Sequence, residues 1–130
     1  LDIAKAWSAV TAAALSIFFV GGLWYSAFEK AWSRANGFTL DYLKTRNMPL
    51  VFSLSFFFSL IMALNLALFI GKSGFAFGLI AGLLTGIGWI VPAFGMVALF
   101  EKRPRSYLMV NGGYMATAFT LMGGIIGLWK

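Results

Sequence analysis

The side chains of this chain best placed to do chemistry are polar groups set inside long apolar runs. Tyr25 and Ser26 close one run, and Trp89 stands inside another. Tyr107, Asn111 and Tyr114 follow an i, i+4, i+7 stripe in the last. Arg103 and Arg105, with Glu29, Lys30, Arg34 and Glu101, sit where the runs end. Hydroxyl, amide and indole groups beside guanidinium groups suit an anionic head group or a small solute. Tyr25, Ser26, Trp89, Asn111, Tyr114, Arg103 and Arg105 are therefore the candidate ligand or lipid pocket. The same groups have a plainer use, because polar side chains in lipid bond one another across helices at ~1 kcal/mol each while rim charges snorkel. Pairing of Glu29 with Arg103 or Arg105, and of Glu101 with Arg34, would lock the run ends together.

What is missing narrows the chemistry. With no Cys and no His, thiol redox chemistry, thiolate metal sites and the commonest neutral-pH proton switch are excluded. No charged residue lies between Lys5 and Glu29, Arg46 and Lys72, Lys72 and Glu101, or Arg105 and Lys130. Charges inside a span mark ion paths and proton relays, so a proton-coupled pump with a mid-membrane carboxylate is not expected. No Ser–His set, metal cluster or phosphate-binding loop is present. The residues point to no catalytic group, metal or cofactor, and we expect no enzyme.

The elements that must hold these residues are helices in a membrane. Each charge-free gap reaches the roughly 20 residues that cross a ~30 Å hydrocarbon layer. The runs do not alternate as barrel strands do. The expected spans are 6–28, 49–70, 75–100 and 107–129, and they use up the 130 residues as one four-span domain. The fold class expected is all-α, an integral membrane four-helix bundle with Gly-rich helix packing. In the first loop Thr39 is placed to cap a short interfacial helix, with Leu40 and Leu43 toward the membrane. The chain opens at Leu1 rather than Met, from which we expect a preceding segment in the full protein.

The net charge of +6 reports topology rather than nucleic acid binding. Lys30, Arg34, Lys44, Arg46, Lys102, Arg103 and Arg105 fall in the first and third loops, against Lys5, Lys72 and Lys130 on the other side. The bias toward inward positive charge puts those two loops in the cytoplasm, or its organellar equivalent, and both termini opposite.

Packing is written in glycine. Gly74, Gly78, Gly82 and Gly86 make one ridge on the third span, and Ser55, Ser59, Ala63, Ala67 and Gly71 make a small-residue stripe on the second. Small residues let backbones approach where lipid removes the usual hydrophobic drive. The expectation is that these two stripes meet across the Gly71–Gly74 turn, with Gly123 and Gly127 offering a similar surface on the fourth span. Pro92 removes a donor inside the third span, so a kink and a freed Gly88 carbonyl are expected. Asn65, opposite the stripe, is expected to bond another helix or subunit.

Gly22-Leu23-Trp24-Tyr25-Ser26-Ala27, Phe100-Glu101-Lys102-Arg103-Pro104, Asn111-Gly112-Gly113-Tyr114 and Met122-Gly123-Gly124-Ile125-Ile126-Gly127-Leu128-Trp129 together resemble a family of small four-span bacterial membrane proteins. That family is classed as domain of unknown function 1761. The resemblance implies the fold and a membrane location, and it brings no activity. The residues themselves lead to a non-enzymatic membrane protein that packs as a homo-oligomer or as an accessory subunit of a larger complex. Its expected partners are membrane lipids and itself or other membrane subunits. The alternative is a channel or facilitator for a small neutral or anionic solute, using the polar cluster and the Pro92 kink.

Overall fold

A computed structural model describes residues 3–129. Its regular elements are all helical: α1 (Ile3–Ala27), α2 (Glu29–Asn36), α3 (Leu40–Lys44), α4 (Met48–Ile70), α5 (Phe75–Thr85), α6 (Val91–Phe100) and α7 (Arg105–Leu128). A π-helical turn, Gly86–Ile90, joins α5 to α6. Three stretches are long and apolar enough to cross a membrane: Lys5–Ala27, Met48–Ile70 and Phe75–Phe100. The protein is an integral membrane protein on that ground. At 24 residues, α7 is close in length to these three, but Asn111, its glycines and its threonines dilute its apolar character.

The centre of the molecule explains this dilution. α7 touches α1, α2, α4, α5, α6 and the π turn, so much of its surface faces protein. The core is built from small groups, with Ala13, Ala14, Ala63 and Ala118 fully buried around Val10, Ile70 and Met122. The large side chains point outward, among them Phe19, Leu68, Leu99 and Phe100. That inversion lets helices pack closely where burial of apolar area gains little.

The glycine ridge of α5 meets α7, not α4 as its position next to the turn implied. A Cβ added to Gly78 would collide with the Gly123 carbonyl, one on Gly82 with that of Phe119, and one on Gly127 with that of Gly74. Partner numbers fall on α7 as they rise on α5, so the two run antiparallel. The physical reason is reach. α7 offers glycines opposite glycines, so backbone meets backbone, whereas the α4 stripe carries side chains. Ser59, Ala63 and Ala67 are buried, on the α4 helix that packs mainly on α1 and less on α7. Asn65 is exposed and donates from Nδ2 to the Ile61 carbonyl of its own helix at 3.0 Å, not to another helix of the chain.

The third span adjusts just before Pro92 by a π turn. The Val91 amide reaches back to the Gly86 carbonyl, an i→i−5 bond that widens the helix before the proline ring. At the other ends, ordinary caps operate. Thr39 Oγ1 accepts from the Tyr42 amide to start α3, and Asn47 Oδ1 accepts from the Leu50 amide to start α4, both at 3.2 Å. The turn between α4 and α5 needs Gly71 and Gly74, whose φ values are +56° and +99°.

Candidate functional site

Four polar side chains fasten α1 to α7. Trp24 donates from Nε1 to the Val110 carbonyl at 2.9 Å, and Tyr25 donates from its hydroxyl to Asn111 Oδ1 at 2.7 Å. Tyr114 donates to the Ile17 carbonyl at 2.9 Å, and Asn111 returns its amide to the Tyr107 carbonyl at 3.1 Å. Glycines make room for these rings. A Cβ on Gly113 would lie 2.7 Å from Trp24 Cζ2, and one on Gly21 would lie 3.1 Å from the Tyr114 hydroxyl. Among the described residues no buried side-chain nitrogen or oxygen is left without a partner. The cluster is thus satisfied as interhelical bonding.

Beside it lies a cavity of about 620 Å³ between α1, α4 and the short helices of the first loop. Ile17, Phe18, Gly21, Phe52 and Ser55 wall its deeper part, and Tyr25, Ser26, Glu29, Trp32 and Arg46 its loop end. The volume falls in the range of ~300–1,000 Å³ usual for small-molecule sites. Gly22, Val51 and Phe52 line the cavity, and Val51 and Phe52 are exposed, so it opens sideways between α1 and α4. Beyond Ile17 the side chains of Val10, Ala13, Ala14, Leu66 and Ile70 are buried against one another, which closes the deep end.

An aromatic series runs from α7 to α3 across the loop end. Ring centroids are 5.1 Å apart for Tyr114 and Tyr25, 5.9 Å for Tyr25 and Trp32, 5.2 Å for Trp32 and Phe38, and 5.3 Å for Phe38 and Tyr42. Arg46 donates from Nε to the Leu43 carbonyl at 3.0 Å, and its guanidinium carbon lies 6.0 Å from the Trp32 ring centroid. Arg46 lines this end of the cavity, and its Nε, not its terminal guanidinium nitrogens, makes the bond to Leu43.

The structure therefore divides the seven residues proposed from sequence. Tyr25, Ser26 and Tyr114 line the cavity, and Asn111 stands behind it holding Tyr25. Trp89 is 78 % exposed on the π turn and does not belong, because the turn carries its ring outward. Arg103 and Arg105 do not line the cavity either. Arg103 pairs with Glu101 at 3.0 Å within its own loop and lies over Tyr107, 5.4 Å from the ring centroid, and Arg105 opens α7 as an exposed residue. The expected Glu29–Arg103, Glu29–Arg105 and Glu101–Arg34 pairs are not among the ion pairs of the described residues. The basic group at the cavity is Arg46, which sequence reasoning passed over. Glu29, expected at the rim of the cluster, does line the cavity, whereas Trp32 was passed over along with α2, a helix not foreseen within the polar first loop. Its signal is present in the sequence: Trp32 and Ala35 lie on one face and Lys30 and Arg34 on the other. Leu43, expected to face the membrane, lines the cavity instead.

A family model described as a protein of unknown function, DUF1761, matches residues 8–127. The chain belongs to this family. The match reaches all four long helices and takes in the whole first loop, so the cavity and the α1–α7 fastening both lie within the family region. No curated protein and no solved structure matches the chain.

Proposed function

We propose that the protein is a four-span, non-enzymatic membrane protein that binds an amphiphile from the bilayer in the cavity between α1 and α4. The observation that carries this is the cavity itself. It is open to the side along Gly22, Val51 and Phe52, apolar in its depth, and polar at the end formed by Ser26, Glu29 and Arg46. An acyl chain would enter laterally and leave its head at the loop end. In this reading α7 is the fourth span, shielded from lipid by its neighbours. The first and third loops face the cytoplasm by their positive charge, and α2 and α3 lie at the interface.

The non-enzymatic reading rests on a lining whose one carboxylate among the described residues is Glu29. The channel alternative draws no support from the polar residues that would mark its path. Ser16, Thr85 and Thr120 donate to the Ala13, Ala81 and Ala116 carbonyls of their own helices. The oligomer reading loses its motif, since Gly78, Gly82, Gly123 and Gly127 are spent on packing within the chain.

Extraction in mild detergent followed by native mass analysis tests the proposal. A monomer or small oligomer carrying a lipid-sized adduct is expected, and Gly22→Trp should remove it. Nothing lies within 4 Å of a Cβ at Gly22, and Gly22 lines the cavity, so a bulky side chain has room to begin there and is expected to block the opening. An adduct-free protein within a heavy assembly of other proteins would favour the accessory-subunit reading instead.

A further inference from the structure

Glu29 and Arg46 line the same end of the cavity, yet among the described residues the ion pair is Glu101 with Arg103 in another loop. The two cavity charges do not pair with each other. We propose that they read a zwitterionic head group, a phosphate on Arg46 and an ammonium on Glu29, carried by a lipid whose acyl chain lies along α1. This rests on the amphiphile reading above and specifies its ligand.

Arg46 is held for such a role. Its Nε is occupied by the Leu43 carbonyl and its guanidinium carbon lies over the Trp32 ring, 6.0 Å from the centroid, which leaves the terminal nitrogens for a phosphate. A guanidinium presents these as a planar fork that matches phosphate oxygens in pairs. The ammonium would find the Glu29 carboxylate together with the rings of Trp32 and Tyr25, which line the same end and attract a cation through their faces. The Tyr25 O–H donates to Asn111, which holds its ring in place beside Trp32. A head bearing only negative charge would lie beside Glu29 without compensation, and one bearing only positive charge would lie beside Arg46. Like-charge placement of that kind is how a site rejects the wrong ligand.

The dimensions fit one lipid leaflet. From Ile17 to Ala27, where α1 ends, the helix rise of 1.5 Å per residue gives about 15 Å. Half of a ~30 Å hydrocarbon layer is ~15 Å, so a single chain and the start of its head group span the cavity.

The test adds back lipids of one chain length to the delipidated full chain in mild detergent and reads retention by native mass analysis. The heads compared are phosphoethanolamine, phosphoglycerol and trimethylammonium, with chain-free glycerophosphoethanolamine as the soluble competitor. Phosphoethanolamine lipid should be retained about tenfold over the other two, the factor expected from a single charge-assisted hydrogen bond, and the soluble competitor should not displace it. Glu29→Gln should bring phosphoglycerol lipid up to the level of phosphoethanolamine lipid. Arg46→Gln should lower both phosphate-bearing lipids. Both positions are exposed, and unchanged melting of the variants confirms that the fold is intact. Equal retention of all three heads, or variants that change nothing, overturns the head-group assignment and leaves the cavity reading standing. No retention by the unaltered chain, or retention that survives Gly22→Trp, overturns both.

Discussion

The Tyr25–Asn111 bond, 2.7 Å long, shows how single residues hold the cavity wall. Removing the hydroxyl in Tyr25→Phe leaves the buried Asn111 carbonyl oxygen unpaired. A loss of about 1 kcal/mol is expected from measured interhelical bonds in membranes, visible as a lower melting temperature in detergent. Gly82→Ile should do far more. Its side chain would run into the backbone of α7 at Phe119, where nothing flexible can yield, and the chain should fail to elute as a folded species. Gly22→Ile should melt as the unaltered protein does, because the space there is open. Tyr25, Asn111 and Tyr114 were legible in the sequence because polar groups in an apolar run must find partners. Arg46 was not. Its position depends on how α2 and α3 fold back to the cavity, and one basic residue in a loop of several carries no mark of that.

At the scale of elements, the loop between α6 and α7 carries a backbone strain that sequence does not announce. Lys102 adopts φ +55°, while the Arg103 amide bonds to the Ala98 carbonyl and the Lys102 amide to the Leu99 carbonyl. This is the helix-ending motif that usually places glycine at the left-handed position. Lys102→Gly should therefore stabilise the fold by about 1 kcal/mol, read as a raised melting temperature. Thr39→Ala acts in the opposite direction. Loss of the cap on α3 should cost about 1 kcal/mol and loosen the Leu43–Arg46 wall, so lipid retention should fall with it. The capped α3 was foreseeable from Thr39 and the apolar spacing after it. The π turn was not, since a proline predicts a lost donor without saying how the preceding turn absorbs it. The partner of the α5 ridge was equally hidden, because two stripes of the right spacing competed for it and only tertiary packing decides.

For the whole molecule, the apolar runs made three membrane-crossing stretches plain, and the fourth long helix is diluted because it sits at the centre and meets protein on most sides. Its crossing is open to a direct check, aided by a sequence without Cys. Single cysteines at Lys72 and at Trp129 should react with an impermeant thiol reagent from the same outer side of intact cells. One at Lys102 should react only after permeabilisation. Labelling of positions 102 and 129 from one side would mean that α7 does not cross. The central claim, that a bilayer amphiphile occupies the cavity between α1 and α4, is tested most directly by a lipid carrying a photoreactive diazirine in its acyl chain. Irradiation of the reconstituted protein followed by peptide mapping should place the cross-link on Phe18, Val51, Phe52 or Ser55, and Gly22→Trp should abolish it. Cross-links spread evenly over outward residues such as Phe19, Leu68 and Leu99, unchanged by Gly22→Trp, would contradict it.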